Sequence, residues 1–154
     1  MVKEIERKFL VATGKLPTLP KGHVIKQGYI PTQGITVRAR ISDDKAFLTL
    51  KGRATGLSRS EFEYPIPVED AQQILNELCA HPLIEKTRYL IPHGEHTWEL
   101  DIFEGDNQGL IVAEIELSSE NEAFELPNWV REEVSHDTKY RNSNLRAHPF
   151  CKWN

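Results

Sequence analysis

The feature that most constrains this chain is a two-residue alternation in which charged side chains come as doublets, mostly of one sign, in segment after segment. Side chains along an extended strand point to opposite faces by turns, so residues two apart share a face. Glu4, Glu6 and Lys8 therefore point one way while Ile5 and Phe9 point the other. The same parity sets Arg38 and Arg40 against Val37, Ala39 and Ile41, Lys51 against Leu48 and Leu50, and Glu61 and Glu63 against Phe62 and Tyr64. Further on, Lys86 and Arg88 alternate with Thr87 and Tyr89, Glu99 and Asp101 with Leu100 and Ile102, and Glu114 and Glu116 with Ile115 and Leu117. Such a chain has to make a sheet with one apolar and one ionic face.

Runs rich in β-branched and aromatic residues lie near 2–11, 23–31, 35–42, 46–52, 59–66, 84–92, 96–104 and 110–118, which predicts about eight strands. Short turn signals such as Ser42-Asp43-Asp44 and His93-Gly94-Glu95 suit antiparallel neighbours. One helix is expected after Pro67, with Glu69 and Asp70 in its first turn, Ala71, Ile74, Leu75 and Leu78 at helical spacing, and His81-Pro82 as its end. Helical turns are expected around Ser119–Ala123 and Asn142–Ala147. At 154 residues and 39% hydrophobic, the chain reads as a single domain over 1–154, of mainly β (α+β) class.

A half-solvated sheet with cross-strand ion pairs would also alternate. Same-sign doublets, however, need a counter-charge. Two like charges about 7 Å apart repel by roughly 2 kcal/mol at an effective dielectric near 20, which solvent, metal ions or an oppositely charged ligand would relieve. If the sheet curls shut with the ionic face inward, about eight strands enclose room for side chains and one small ligand. Carboxylates there suit Mg²⁺ or Mn²⁺, and Lys and Arg suit phosphate. The expectation is thus an antiparallel eight-stranded β-barrel, or tunnel, with a few flanking helices.

The net charge of −4 argues against a nucleic-acid-coating protein, so no nucleic acid partner is expected. With no apolar run of membrane-spanning length and no secretory leader pattern at the N-terminus, no membrane partner is expected either. Cys79 and Cys151 make no disulfide framework or zinc spacing, and a cytoplasmic location is expected. None of the six His is assigned a role, and Trp98, Trp129 and Trp153 read as packing or dimer contacts. No P-loop, Ser-His-Asp or Cys-His signature is present.

Glu4-Ile5-Glu6-Arg7-Lys8, an ExExK motif, followed in order by Arg38-Ala39-Arg40, Thr49-Leu50-Lys51, Glu61-Phe62-Glu63, Lys86-Thr87-Arg88 and Glu114-Ile115-Glu116, resembles the CYTH family, the triphosphate tunnel metalloenzymes. The runs EIERKFLV, QGY at 27–29, GLSR at 56–59, EKTRY at 85–89 and LDIF at 100–103 are similar to the short bacterial members that hydrolyse inorganic tripolyphosphate. The resemblance implies a homodimer built on eight-stranded tunnels, with metal-dependent hydrolysis of inorganic triphosphate (tripolyphosphate) to pyrophosphate and phosphate, supported by Mg²⁺ or Mn²⁺, the choice among tripolyphosphate, longer polyphosphate and nucleoside triphosphates being open. It assigns Glu4, Glu6, Glu114 and Glu116 to a bridging metal, and Glu61, Glu63 and Asp101 to a second metal and the attacking water, the division between the two being open. Lys8, Arg38, Arg40, Lys51, Arg59, Lys86 and Arg88 match phosphate-binding positions, and Lys139 and Arg141 are candidates for the same set. Glu99 matches no motif.

Tyr29 falls where the similar enzymes use a tyrosine for proton transfer, the alternative being a residue that packs and hydrogen-bonds at the tunnel wall. A phenol is a weak base at neutral pH, so a basic role would favour alkaline conditions. Lys86 falls where a lysine favours departure of the leaving phosphates, the alternative being one more phosphate anchor. Two other functions fit the same tunnel. One is cyclisation of ATP or hydrolysis of thiamine or nucleoside triphosphates, known among relatives, although no base-reading segment is evident. The other is a polyphosphate-binding module without turnover, against which the complete set of acids speaks.

Overall fold

The computed structural model describes residues 2–153. Among them the chain forms β1 (Val2–Val11), β2 (His23–Ile30), β3 (Thr36–Ser42), β4 (Lys45–Lys51), β5 (Ser58–Ile66), α1 (Val68–Glu77), β6 (Ala80–His93), β7 (His96–Phe103), β8 (Ile111–Glu116), β9 (Val130–Glu133) and α2 (Asn142–Ala147). Eight strands close a ring in the order β1-β5-β4-β3-β2-β6-β7-β8, and β8 returns to β1. Every pairing is antiparallel.

Closure rests on β1, which uses one edge for β8 and splits the other. On the split edge the register runs from Val2↔Glu61 to Ile5↔Ser58 with β5, and farther along Phe9 and Val11 meet β9. A sheet closed in this way encloses its charged face.

The apolar face therefore lies outside the ring and is covered by the rest of the chain. Ile5, Phe9, Trp98, Leu100, Ala113, Ile115, Leu117 and Trp129 form the largest cluster, with Phe124 edge-on to Trp98 at 5.9 Å between ring centroids. The segment after β8 folds back to supply Phe124 and Trp129. On a second side, α1 presents Leu75 to Ala39 of β3, joined by Cys79 just beyond the helix. A further cluster lies on the inner face: Leu145 of α2 packs with Ile84, Phe103, Leu110 and Val112, of which Ile84 pairs with Gln27 and Val112 with Asp101. With Phe150 and Trp153 behind them, these side chains fill the lumen beside the charged groups. Each large apolar side chain so buried contributes about 1.5–3 kcal/mol, which offsets the desolvation of the charges inside.

Four details depart from the sequence reading. First, β9 is an additional strand; Val130-Arg131-Glu132-Glu133 has little strand character of its own and is held by the stretch of β1 left open beyond β5. Second, α1 ends at Glu77, capped through Leu78, while β6 begins at Ala80 and runs through Pro82, so Pro82 sits within a strand and does not stop the helix. Third, residues 119–123 form no helix: the Glu122 carboxylate accepts from the Ser118 amide and pairs with His96 Nε2, pinning a turn. Fourth, four short 3-10 turns occur that were not expected. The helix at Asn142–Ala147 forms as expected.

The Gln27-Gly28-Tyr29 run carries a local irregularity that shapes the interior. Against β6 the register shifts between Gln27↔Ile84 and Tyr29↔Ala80. Gly28 lies at that point because a Cβ there would stand 2.7 Å from Leu83 Cδ2 and 2.9 Å from Cys79 Cβ. With Gly28 letting the α1–β6 corner press close, Gln27 and Tyr29 hold their places on the inner side.

Candidate active site

The barrel encloses a cavity of about 290 Å³. Its lining includes Glu4, Glu6, Lys8, Tyr29, Arg38, Arg40, Lys51, Arg59, Glu61, Glu63, Lys86, Arg88, Glu114, Glu116 and Arg141, all named from the sequence. Asp101 lies just behind the wall and is fully buried. Lys139 is not among the lining residues; its ammonium sits 4.5 Å from the Trp153 ring centroid and 5.3 Å from that of Tyr140. Parity explains the set: each strand sends alternate residues inward, and antiparallel pairing brings Glu6 opposite Glu116 and Lys8 opposite Glu114.

Opposite walls carry opposite signs. Around the ring β3 stands four strands from β8, and β6 four from β5. The strands that carry Arg38 and Arg40, or Lys86 and Arg88, thus face strands that carry Glu114 and Glu116, or Glu61 and Glu63. Eight cationic and seven acidic side chains line the cavity, and buried Asp101 makes the numbers equal.

Many of these charges are paired along the wall, between neighbouring or next-but-one strands. Lys51 lies 2.8 Å from Glu4 and 3.3 Å from Glu61, Lys8 3.3 Å from Glu114, and Arg38 3.6 Å from Glu63. Arg88 grips both oxygens of Asp101 at 2.7 and 2.9 Å and reaches Glu99 at 3.2 Å, while Lys86 contacts Asp101 at 2.8 Å. Three lining cations, Arg40, Arg59 and Arg141, have no ion pair within 4 Å among the described residues. Glu6 and Glu116 likewise lack a cationic partner at that distance.

Protonation follows from this layout. Burial, with Glu114 and Glu4 adjacent, pushes the Glu6 carboxyl well above the usual carboxylate range. Burial acts the same way on Glu114, but Lys8 and Arg88 outweigh it and hold Glu114 well below that range, so Glu6 keeps the proton the two share. Glu4 is raised by burial against the pull of Lys51, and it too contacts another acid, Glu61. On the cationic wall, burial lowers Arg40 to about 10, with Arg38 and Arg88 adding to the effect. Lys86 is lowered to about 7 by burial, Asp101 opposing and Arg88 and Arg40 reinforcing.

These acids fit a hard divalent cation. Two carboxylate pairs in contact, Glu6 with Glu114 and Glu4 with Glu61, need either a shared proton or a cation between them. Among the described residues no three His, Cys, Asp or Glu side chains converge as a ready-made metal cage. That pattern suits Mg²⁺, which typically takes one or two carboxylates and completes its shell with water and substrate phosphates. Asp101 differs, since both of its oxygens are already taken by Lys86 and Arg88.

The sequence reading passed over several residues. Gln27 and Thr49, both fully buried, share a face with Tyr29 and Lys51, and the same parity would have found them. Thr49 accepts from Arg38 at 3.3 Å and donates to Glu63 at 3.1 Å. Glu99 takes its place in the wall beside Arg88. Asn142 and Ser143 reach the cavity from α2, for which strand alternation gives no signal.

A closed antiparallel barrel with an ionic lumen and an apolar exterior defines a class of polyanion-handling tunnel proteins. The CYTH domain model matches residues 2–146, and the chain belongs to that family. It is 48% identical over 151 residues to an inorganic triphosphatase of Acetivibrio thermocellus, covering 97% of both chains. It is 41% identical to an inorganic triphosphatase of Nitrosomonas europaea, covering 92% of this chain and 95% of the other. A crystal structure of an inorganic triphosphatase superposes with a TM-score of 0.67 at 36% identity, covering 95% of each chain.

Proposed function

We propose that this protein is a divalent-metal-dependent inorganic triphosphatase that hydrolyses tripolyphosphate to pyrophosphate and phosphate within the barrel. One observation carries the reading: a wall of guanidinium and ammonium groups faces a wall of carboxylates that touch one another across a polar cavity. A polyanion needs the first wall, and the cations that travel with it need the second. Because the lining signs are balanced, a phosphate chain together with its divalent cations enters without leaving a large net charge buried. The two triphosphatase relatives support the choice of substrate.

Arg38, Arg40, Lys86 and Arg88 hold the phosphate chain extended along one wall, with Lys8, Lys51, Arg59 and Arg141 at its flanks. One or two carboxylates drawn from Glu4, Glu6, Glu114 and Glu116 would hold one Mg²⁺ or Mn²⁺, and Glu61 and Glu63 would serve a second. Such ions supply charge neutralisation at the phosphoryl oxygens and a more acidic bound water. Asp101 anchors Lys86 and Arg88, which keeps both cations aimed along the lumen. Water attacks the terminal phosphorus in line, oriented by the acidic wall, while Lys86 neutralises charge on the departing pyrophosphate.

The test is a matrix of divalent metals against tripolyphosphate, longer polyphosphate and ATP at pH 7 to 9.5, scoring phosphate and cyclic AMP. Phosphate release from tripolyphosphate that needs Mg²⁺ or Mn²⁺ and stops with EDTA is expected. Tight binding without turnover in every metal would leave a binding module instead, and cyclic AMP as the main product would make the protein a cyclase.

We further propose that the protein is cytoplasmic and forms a homodimer through the outer face of β5 and the turn before β3, where Ile35, Phe62 and Tyr64 are 51%, 40% and 52% exposed. Light scattering is expected to give twice the chain mass, and Phe62→Lys to halve it. A monomeric wild type would exclude this assembly.

A further inference from the structure

Gln27 has no surface exposure, yet it bonds three side chains directly and a fourth through one of them. Its Oε1 accepts from Arg40 Nε at 2.7 Å, and its Nε2 donates to Tyr29 Oη at 2.9 Å and to Asn142 Oδ1 at 3.1 Å. Asn142 Oδ1 also accepts from Lys86 Nζ at 2.8 Å. A guanidinium only donates, so the oxygen of the Gln27 amide must face Arg40, and both of its N–H groups are left to donate. By the same rule Lys86, a pure donor, fixes the oxygen of the Asn142 amide toward itself.

The directions downstream then follow. Tyr29 Oη receives a hydrogen bond from Gln27 on one lone pair, so its own hydrogen is free for an acceptor in the cavity that Tyr29 lines. Lys86, engaged by Asn142 and Asp101, retains N–H capacity toward the same cavity. Asn142 Nδ2 has no partner among the described residues, while Asn142 itself lines the lumen. A chain of amides starting at Arg40 thus turns three donors toward the place where phosphate oxygens, which are acceptors, would lie.

We propose that Gln27 and Asn142 are positioning residues, a buried amide relay that aims the Tyr29 hydroxyl and the Lys86 ammonium at the phosphate chain as hydrogen-bond donors. The relay rests on the assignment of the lumen to a triphosphate, and it makes Tyr29 a donor in the resting enzyme. Any chemistry at Tyr29 then begins with its proton in place, directed at a phosphate oxygen.

Three double-mutant cycles test it, read in turnover with Mg²⁺ and in metal-free calorimetric binding of tripolyphosphate. Gln27→Glu keeps an acceptor for Arg40 and loses both donated bonds; it is expected to lower kcat about tenfold beside Tyr29 but no more than about twofold in Tyr29→Phe. Gln27→Met, which adds no charge, is expected to weaken binding about fivefold beside Tyr29 and less than about twofold without its hydroxyl. Asn142→Ala is expected to behave likewise against Lys86→Met. Thermal melting confirms that each variant is folded.

A merely structural Gln27 or Asn142 would have the same effect in both backgrounds, and equal effects in turnover and in binding overturn the relay. Coupling in either arm upholds it. Coupled binding with an inactive wild type sinks the triphosphatase reading while the relay stands, and absence of both binding and turnover sinks the two together.

Discussion

Lys86→Met is expected to lower kcat for tripolyphosphate by about 10²–10³, equivalent to about 3–4 kcal/mol of transition-state stabilisation, while KM changes less than about threefold. Lys86 is 1% exposed, lies 2.8 Å from Asp101 and lines the cavity. Methionine fills nearly the same volume without the charge. Asp101 would keep its two-point contact with Arg88, and Asn142 its bond from Gln27, so the fold has no reason to fail. The split between kcat and KM decides between the two roles the sequence left open. A rise in KM with kcat unchanged would make Lys86 one more phosphate anchor.

Asp101→Asn is expected to be the most destabilising single change in the lumen, costing about 3–5 kcal/mol in urea unfolding. Asp101 is fully buried, and burial alone would raise its carboxyl; Lys86 and Arg88 outweigh that and hold it below the usual carboxylate range. Removing the carboxylate strands two buried cations beside a third, Arg40. Because Lys86 is already pushed down to about 7, it can give up its proton, which moves the loss toward the lower end of the range. Inorganic phosphate should restore part of the stability by supplying the missing negative charge. A loss below about 1 kcal/mol would mean that the triad is effectively solvated, since exposed ion pairs contribute no more than that.

Much of this site could be seen in the sequence because strand parity is local. Arg38 and Arg40 must share a face whatever the rest of the chain does, and so must Glu114 and Glu116. The enclosure of that face was an inference from charge repulsion, and it depends on the pairing of Val2–Ile5 with β5, a contact between segments more than fifty residues apart. Several other positions lie outside the strand rule. Lys139 and Arg141 are two apart, but Thr138–Tyr140 is a 3-10 turn, so the parity argument does not apply; Lys139 lies over aromatic rings while Arg141 lines the cavity. Asn142 enters through α2, and β9 exists only because β1 leaves an edge open. Gln27 was within reach of the rule, but a neutral amide among charges drew no attention.

The balance of signs also explains why the interior can be so polar without unfolding the barrel. Most apolar burial is assigned to the outer face, where Trp98, Leu100 and Ile115 are fully buried, while inside only the cluster around Leu145 is apolar and the rest of the lumen is left for chemistry. The hydrophobic core is thus wrapped around the site, the reverse of the usual arrangement in a small domain.

The central claim, that the two facing walls divide a metal-bound phosphate chain between them, is tested most directly by a crystal structure of the protein with Mn²⁺ and tripolyphosphate. Anomalous density for manganese is expected against Glu6 and Glu114, with phosphorus atoms among Arg38, Arg40 and Lys86. Phosphate and metal found only on the outer surface, with the lumen ion pairs of Lys51, Lys8 and Arg88 undisturbed, would contradict it.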